Sequence, residues 1–247
     1  MNKVLITSQG RTATLSLNQG LDKIGGVCSF HERRSTDVPF LFYSQQDQYR
    51  TITQDYLKEE DAFASTQDQA HFVAVNPYFR FVGQQLRDNF GWQVAHLVRH
   101  PKTYLESVFQ RSIFTRDDKG LHQLPQDNDN FSTQWNNATR FEKLCWYYAK
   151  TLSYFAQTDI QWFQYETVVA HPSGLNNLLT AVGLPEVPAD FELPRTNAGP
   201  SIKTKLIRTL RNQQIPAPLD WGELTTREQE TYASFFEPLA SYFKYDL

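Results

Sequence analysis

The sequence predicts an α/β fold built on a mainly parallel central sheet flanked by helices. Three observations carry this expectation. Short apolar runs of strand length alternate with longer segments whose apolar residues recur at helical spacing. The clearest run, Val94–Val98, is continuously apolar apart from His96, as a strand covered on both faces is. Helix-start signals follow the runs directly, such as Pro101 just after Val98 and Arg99.

Taken in order, Lys3–Thr7 reads as a strand, Ser8-Gln9-Gly10 as a turn, and a helix is expected from about Arg11. The Gln- and Asp-rich stretch from Gln45 to Gln69 reads as helical and exposed. His71–Val75 is a second strand-like run, stopped by Asn76-Pro77. Phe79, Val82, Leu86 and Phe90 fall at helical spacing, and Gly91 ends that segment. After Val94–Val98, Pro101 opens a helix carrying Leu105, Val108 and Phe109. Thr115–Thr139 is polar and reads as a long loop or lid. Phe141, Leu144, Cys145, Tyr148, Leu152 and Phe155 mark the next helix, and Ile160–Tyr165 the next strand. Leu175, Leu178, Leu179 and Val182 mark a helix closed by Gly183 and Pro185. The last helix opens with the capping box Thr225-x-x-Glu228, and Pro238 is expected to kink it.

Composition excludes several classes. With 40% hydrophobic and 21% charged residues, the chain is neither disordered nor a coiled coil. No apolar run approaches the roughly 20 residues of a membrane span. The N-terminus is too short in apolar residues for a secretory signal, so a cytoplasmic protein without a membrane partner is expected. The 24 basic and 27 acidic residues leave no basic footprint for nucleic acid, although a few local cations can still hold a small anion. The two cysteines, Cys28 and Cys145, cannot build a metal cage and read as free thiols. At 247 residues the chain is read as a single domain, 1–247.

In parallel sheets ligands bind at the carboxyl ends of the strands. Two junctions there are built for phosphate or sulfate. The first is Ser8-Gln9-Gly10-Arg11-Thr12-Ala13-Thr14. A strand-to-helix turn aims backbone N–H groups and the positive end of the helix at one point. Ser8, Thr12 and Thr14 add hydroxyls and Arg11 adds a cation. The alternative is a turn in which these hydroxyls only cap. It is not a Walker A loop, because no Gly-x4-Gly-Lys-Ser/Thr occurs. The second junction is Arg99-His100-Pro101-Lys102, with Ser107 two helical turns on. Arg with Ser grips a second phosphate well, unless the Arg only caps the sheet edge.

The two junctions, in this order, resemble those of the sulfotransferases that use 3'-phosphoadenosine 5'-phosphosulfate. In that family the first loop cradles the 5'-phosphosulfate. The second, an Arg-x-Pro element with a Ser at the spacing of Arg99 and Ser107, holds the 3'-phosphate. A third likeness is Trp162-Phe-Gln-Tyr165-Glu166 followed by Pro172 and, later, Gly183-Leu184. The resemblance implies a P-loop-NTPase-like sulfotransferase fold, a sulfotransferase activity, and product adenosine 3',5'-bisphosphate. It implies Ser8 to Thr14, Arg99 and Ser107 as cofactor-binding residues, Tyr165 near the adenine, and no metal. It also makes 115–139 an acceptor-side loop or lid, and a small-molecule or carbohydrate hydroxyl or amine the acceptor.

Three departures stand out. Ala13 occupies a position where the family usually has Gly. The family's Lys-Thr-His stretch, with His as catalytic base, is replaced by Ala74-Val75-Asn76. The late Arg-Lys-Gly element is also absent; Lys203, Lys205, Arg208 and Arg211 are cations that could substitute. The proton of the acceptor must therefore go elsewhere. Carbohydrate- and tyrosine-directed members suggest the end of the second strand, where His31 and Glu32 stand. Glu32 is the first candidate for the base and His31 the second, with Arg11 stabilising the leaving oxygen. The competing expectation for Glu32 is a surface ion pair with Arg33 or Arg34. Two other readings compete with transfer as a whole: a degenerate nucleotide-binding module of the same fold, and a P-loop-type kinase.

Overall fold

The computed structural model describes residues 1–118, 120, 122–126, 128–194 and 216–247. They form two compact units. The first joins Met1–Arg99 with the chain from Gln157 to Pro194, and the second joins His100–Ala156 with the C-terminal segment.

The first unit holds the sheet. Its strands are β1 (Asn2–Ser8), β2 (Val27–His31), β3 (His71–Val75), β4 (Gln93–Val98) and β5 (Trp162–Gln164). All are parallel, in the order β2-β3-β1-β4-β5. Side chains alternate across it as the strand period requires. Val4 and Ile6 of β1 pack with Val73, Val75, Ala95 and Leu97 on one face. Leu5 packs with Phe72 and Ala74 on the other.

Helices cover both faces, so the expected α/β class with a mainly parallel sheet is observed. On the first face lie α1 (Thr14–Leu21), α7 (Tyr165–Ala170) and α8 (Pro172–Ala181), which supply Leu17, Leu21, Val168, Leu175 and Leu179 to the core. On the second lie α2 (Asp37–Tyr43), α3 (Arg50–Ser65) and α4 (Gly83–Phe90), which supply Phe40, Leu57, Ala64 and Leu86. The chain leaves β1 towards β2 on one side, and later passes from β3 to β4 on the other. That reversal puts the crevice of a doubly wound sheet at the carboxyl end of β1.

Several boundaries differ from the sequence reading. The first helix begins at Thr14 rather than near Arg11, because the residues before it take left-handed backbone conformations. The stretch after Gln45 is helical as expected, but α3 buries Thr53, Leu57, Glu60 and Ala64 as a stripe. The segment from Phe79 is split: Pro77–Phe79 is a 3-10 turn and α4 starts only at Gly83. Strand β5 ends at Gln164, and Tyr165 opens a helix.

The second unit is helical. It contains α5 (Pro101–Phe109), α6 (Arg140–Gln157) and α9 (Thr226–Phe243). Tyr104 of α5 stacks on Tyr148 of α6, with ring centroids 3.8 Å apart. The Arg140 guanidinium donates to the carbonyls of Phe109, at the end of α5, and Ile113, just past it. Glu142, 1% exposed, accepts from the Thr139 backbone N–H and from Arg227. The capping box at Thr225 and Glu228 forms as expected, and Pro238 lies inside α9. Both cysteines are free thiols. No helix among the described residues is long and apolar enough to cross a membrane.

Leu5 is fully buried in the central strand, packed with Phe72 and Ala74. Leu5→Ala is expected to lower stability by about 2–5 kcal/mol, as large-to-small changes in packed cores do. Urea unfolding of the two proteins checks this.

Candidate active site

The crevice at the end of β1 is built from a turn under conformational strain. Gly10, Arg11 and Ala13 have φ of 87°, 58° and 49°. Glycine adopts such angles freely, whereas a residue with a Cβ pays about 1–2 kcal/mol. Something must hold Arg11 and Ala13 there. The Ser8 hydroxyl accepts from the Gly10 N–H at 3.0 Å and from the Thr12 hydroxyl at 2.6 Å. Ser8 and Thr12 are 0% and 1% exposed, so these bonds are made away from water. The next helix starts immediately, with Ala13 at its N-cap and Thr14 as its first residue.

Other strand ends tie into the turn. Arg99 follows β4, and its guanidinium donates to the Arg11 carbonyl at 2.5 Å. The same guanidinium lies over the ring of Tyr165, 4.9 Å from its centroid. This sequence-distant group therefore both braces the turn and carries charge to it. Thr7 donates its hydroxyl proton to the Asn76 carbonyl at 2.7 Å, joining the ends of β1 and β3. At the end of β2, His31 Nε2 is 2.9 Å from the Thr14 hydroxyl.

Glu32 stands beside this contact, with a carboxylate oxygen 3.5 Å from His31 Nε2. Its own φ is 48°, another left-handed position. The surface pairing with Arg33 or Arg34 does not occur. Arg33 pairs with Glu60, and Arg34 with Glu59 and Glu60. Burial, and then the nearby Asp37 carboxylate, push the Glu32 carboxyl above its usual range. Burial pulls the His31 imidazole below its usual range. His31 is thus neutral near pH 7, and Glu32 holds a proton more readily than an exposed glutamate.

Asn76 is 3% exposed and fully engaged. Its amide nitrogen donates to Asp37 at 2.9 Å, and its side-chain oxygen accepts from the Tyr78 N–H. Asp37, 1% exposed, also accepts from the Tyr56 hydroxyl at 2.6 Å. The sequence reading missed Asp37. A single Asp in a polar stretch carries no local signal, and its partner is 39 residues away.

Of the residues expected to act together, Ser8, Gln9, Gly10, Arg11, Thr12, Ala13, Thr14, His31, Glu32, Arg99 and Tyr165 all lie in the first unit. Ser107 lies on α5 in the second unit and is half-buried. His100 there caps α5, accepting from the Lys102 N–H. Lys203, Lys205, Arg208 and Arg211 lie outside the described residues. Among the described residues, no group of three or more His, Cys, Asp or Glu could hold a metal ion.

Known proteins were compared with this arrangement. No family model matches the chain, and no curated protein matches it in sequence. Solved structures do match. A sulfotransferase from Alicyclobacillus acidocaldarius is similar over 100% of this chain and 97% of its own, with a TM-score of 0.52 and 13% identity. At that identity the likeness is one of fold, and the fold shared is that of a sulfotransferase.

The titrations of His31 and Glu32 affect stability with opposite signs. His31 has a lowered folded pKa, so its contribution is present above its unfolded value of about 6.5 and lost as pH falls. Glu32 has a raised one, so stability is lost as pH rises above about 4.3. His31→Gln is expected to flatten the loss of stability below about pH 6.5. Glu32→Gln is expected to remove the loss that sets in as pH rises from the carboxylate range. Urea unfolding across pH, for each variant, checks both signs.

Ala13→Gly is expected to raise stability by about 1 kcal/mol, because glycine takes the left-handed angle without strain. Thermal unfolding reads this directly, and a loss of stability would show that Ala13 is not held left-handed.

Proposed function

We propose that the protein is a sulfotransferase that moves a sulfuryl group from 3'-phosphoadenosine 5'-phosphosulfate to a hydroxyl or amine of a small-molecule or carbohydrate acceptor. One observation carries the reading. The left-handed Gly10–Ala13 turn sits at the carboxyl end of the central strand, at a helix N-terminus, with the Arg99 guanidinium bonded into it. Such a turn presents backbone N–H groups and positive charge to an anion. The donors and charges fit a phosphosulfate. In this reading Arg11 and the residues from Ser8 to Thr14 take the 5' end, and Arg99 takes the second phosphate. Tyr165, under the Arg99 guanidinium, has an aromatic face suited to the adenine. Ser107 joins Arg99 in this reading on the strength of the sequence spacing.

In the reaction proposed, the acceptor oxygen or nitrogen attacks sulfur in line. The new bond to sulfur forms as the bond from sulfur to the bridging phosphate oxygen breaks. Glu32 takes the proton of the acceptor, and Arg11 with the turn's N–H groups stabilises the charge gained by the leaving phosphate oxygen. A raised carboxyl pKa suits a group that must accept a proton near neutral pH. His31 holds the Thr14 hydroxyl and orients Glu32. No metal enters this scheme, so exhaustive chelation is expected to leave transfer unchanged.

A second reading is favoured by Asn76. Its engagement with Asp37 puts a structural amide where relatives carry a base, which suits a module that binds the nucleotide without transfer. Calorimetry and turnover separate the two. The protein is expected to bind adenosine 3',5'-bisphosphate more tightly than AMP. Arg99→Ala is expected to erase the preference, costing about 1.5–3 kcal/mol for a charged hydrogen bond. Equal affinity for the two nucleotides in the unaltered protein defeats both readings. Tight binding without turnover on any acceptor supports the second. If transfer occurs, Glu32→Gln is expected to slow it by about 10²–10⁴-fold with little change in nucleotide affinity. Near-normal turnover of that variant moves the base elsewhere.

A further inference from the structure

Tyr165 meets Arg99 because of the sheet register. Strand β5 runs parallel to β4, with Gln164 level with Val98. Tyr165 and Arg99 are therefore each one residue past a paired position, at the ends of neighbouring strands about 5 Å apart. The Arg99 guanidinium lies over the Tyr165 ring, 4.9 Å from its centroid, within the range of a cation–π attraction. The ring stands on a fixed mount. Tyr165 is the first residue of α7, and Val168 of that helix is buried in the core on the sheet face. Helix α8 packs so closely on α7 that a Cβ on Gly174 would collide with the Thr167 carbonyl.

The same guanidinium reaches the turn, where it donates to the Arg11 carbonyl. A trans peptide is planar, so its C=O and N–H point in opposite directions. Fixing the Arg11 carbonyl therefore also fixes the Thr12 N–H, directed away from the guanidinium. This peptide needs a hold from outside, because Arg11 and, two residues on, Ala13 are left-handed, a backbone that a residue with a Cβ enters only at a cost. An arginine alone is a loose brace. Its long side chain has many rotamers, and holding one of them costs entropy. A ring against the guanidinium removes part of that freedom in advance, which is preorganisation.

From this we infer that Tyr165 is a positioning residue for the 5' end of the nucleotide. Its ring holds Arg99, Arg99 holds the Arg11 carbonyl, and the Thr12 N–H is thereby set for the anion. This role is distinct from a contact with adenine, because it acts through Arg99 on a peptide of the turn. It rests on the proposed reading of the turn as a phosphosulfate site, although the brace itself needs no nucleotide to form.

The test uses the whole protein, first without nucleotide. NMR follows hydrogen exchange of the Gly10 N–H, which the Ser8 hydroxyl accepts while the turn is formed. Tyr165→Leu is expected to speed this exchange about three- to fivefold, the loss of one cation–π contact. Tyr165→Phe keeps a ring and is expected to keep the slow exchange. Tyr165→Leu combined with Arg99→Gln is expected to match Arg99→Gln alone, because a residue that acts through another adds nothing once that other is gone. Additive effects, or exchange in Tyr165→Leu as slow as in the unaltered protein, overturn the inference. Calorimetry with AMP and with ribose 5-phosphate follows, since neither carries a 3'-phosphate. Tyr165→Leu is expected to weaken both by the same factor, again about three- to fivefold. Loss of affinity for AMP alone assigns the ring to adenine and overturns the inference. If neither probe binds the unaltered protein, the phosphosulfate reading fails, and the positioning role with it. Binding of both probes with unchanged exchange in Tyr165→Leu leaves that reading intact and overturns the inference alone.

Discussion

The structure of the first unit depends on one constraint: the chain must turn from the buried central strand into a helix within five residues, with its backbone N–H groups pointing out of the sheet. A turn that tight needs left-handed backbone, and only one of the three positions that adopt it is a glycine. Arg11 and Ala13 each carry strain of about 1–3 kcal/mol that the surroundings must offset. The surroundings do so from several directions. Ser8 closes the turn from within, and Arg99 holds its outermost carbonyl from the end of β4. Because the brace is also a guanidinium, the group that stabilises the turn also brings positive charge to it. The turn's stability and its local charge therefore rest on one contact.

The acidic residues near the turn sort themselves by burial and partner. Glu59 and Glu60 neutralise Arg33 and Arg34. Asp37 is buried among hydrogen-bond donors from Asn76 and Tyr56, so its charge is held by dipoles rather than by a cation. Glu32 has the His31 ring beside it, with Nε2 3.5 Å from its carboxylate. Burial, and then repulsion from the nearby Asp37 carboxylate, push the Glu32 carboxyl above its usual range. Division of this kind is a general route to a base among otherwise ordinary carboxylates.

Much of the fold was legible because buried parallel strands leave continuous apolar runs. His71–Val75 was read with its observed bounds for that reason, and Val94–Val98 to within a residue. The start of α1 was not, since Arg11 and Ala13 have no sequence mark of left-handed backbone. Helix α2 was missed because Asp37–Tyr43 holds a proline and a nearly unbroken apolar run, which hides any helical period. Pairwise contacts were the least legible. Nothing local to Arg99 tells that its guanidinium reaches the Arg11 carbonyl, and nothing local to Arg33 or Arg34 tells that helix α3 will claim both. Residue types at strand ends can be read from one chain, whereas partners across the sheet depend on its strand order.

Strand order also explains how the end of β2 can serve a turn at the end of β1. In the sheet β3 lies between them, and the register sets Ile6, Val75 and His31 level across the three strands. Two strand spacings separate β1 from β2, about 10 Å, too far for direct contact between backbones. Asn76, just past β3, is nearer to the turn and is joined to the end of β1 through Thr7. Helix α1 removes this disadvantage of β2. It leaves the turn and crosses over β3 towards β2, where Asn18 accepts from the Ser29 hydroxyl at 2.7 Å. Its first residue, Thr14, is thereby brought to 2.9 Å from His31, and Glu32 follows next in the chain. The crossover helix thus places the end of a non-adjacent strand at the mouth of the turn. With that route available, Asn76 can join the ends of β1 and β3 and hold Asp37, a structural task that a titrating histidine at the same position would fulfil less well.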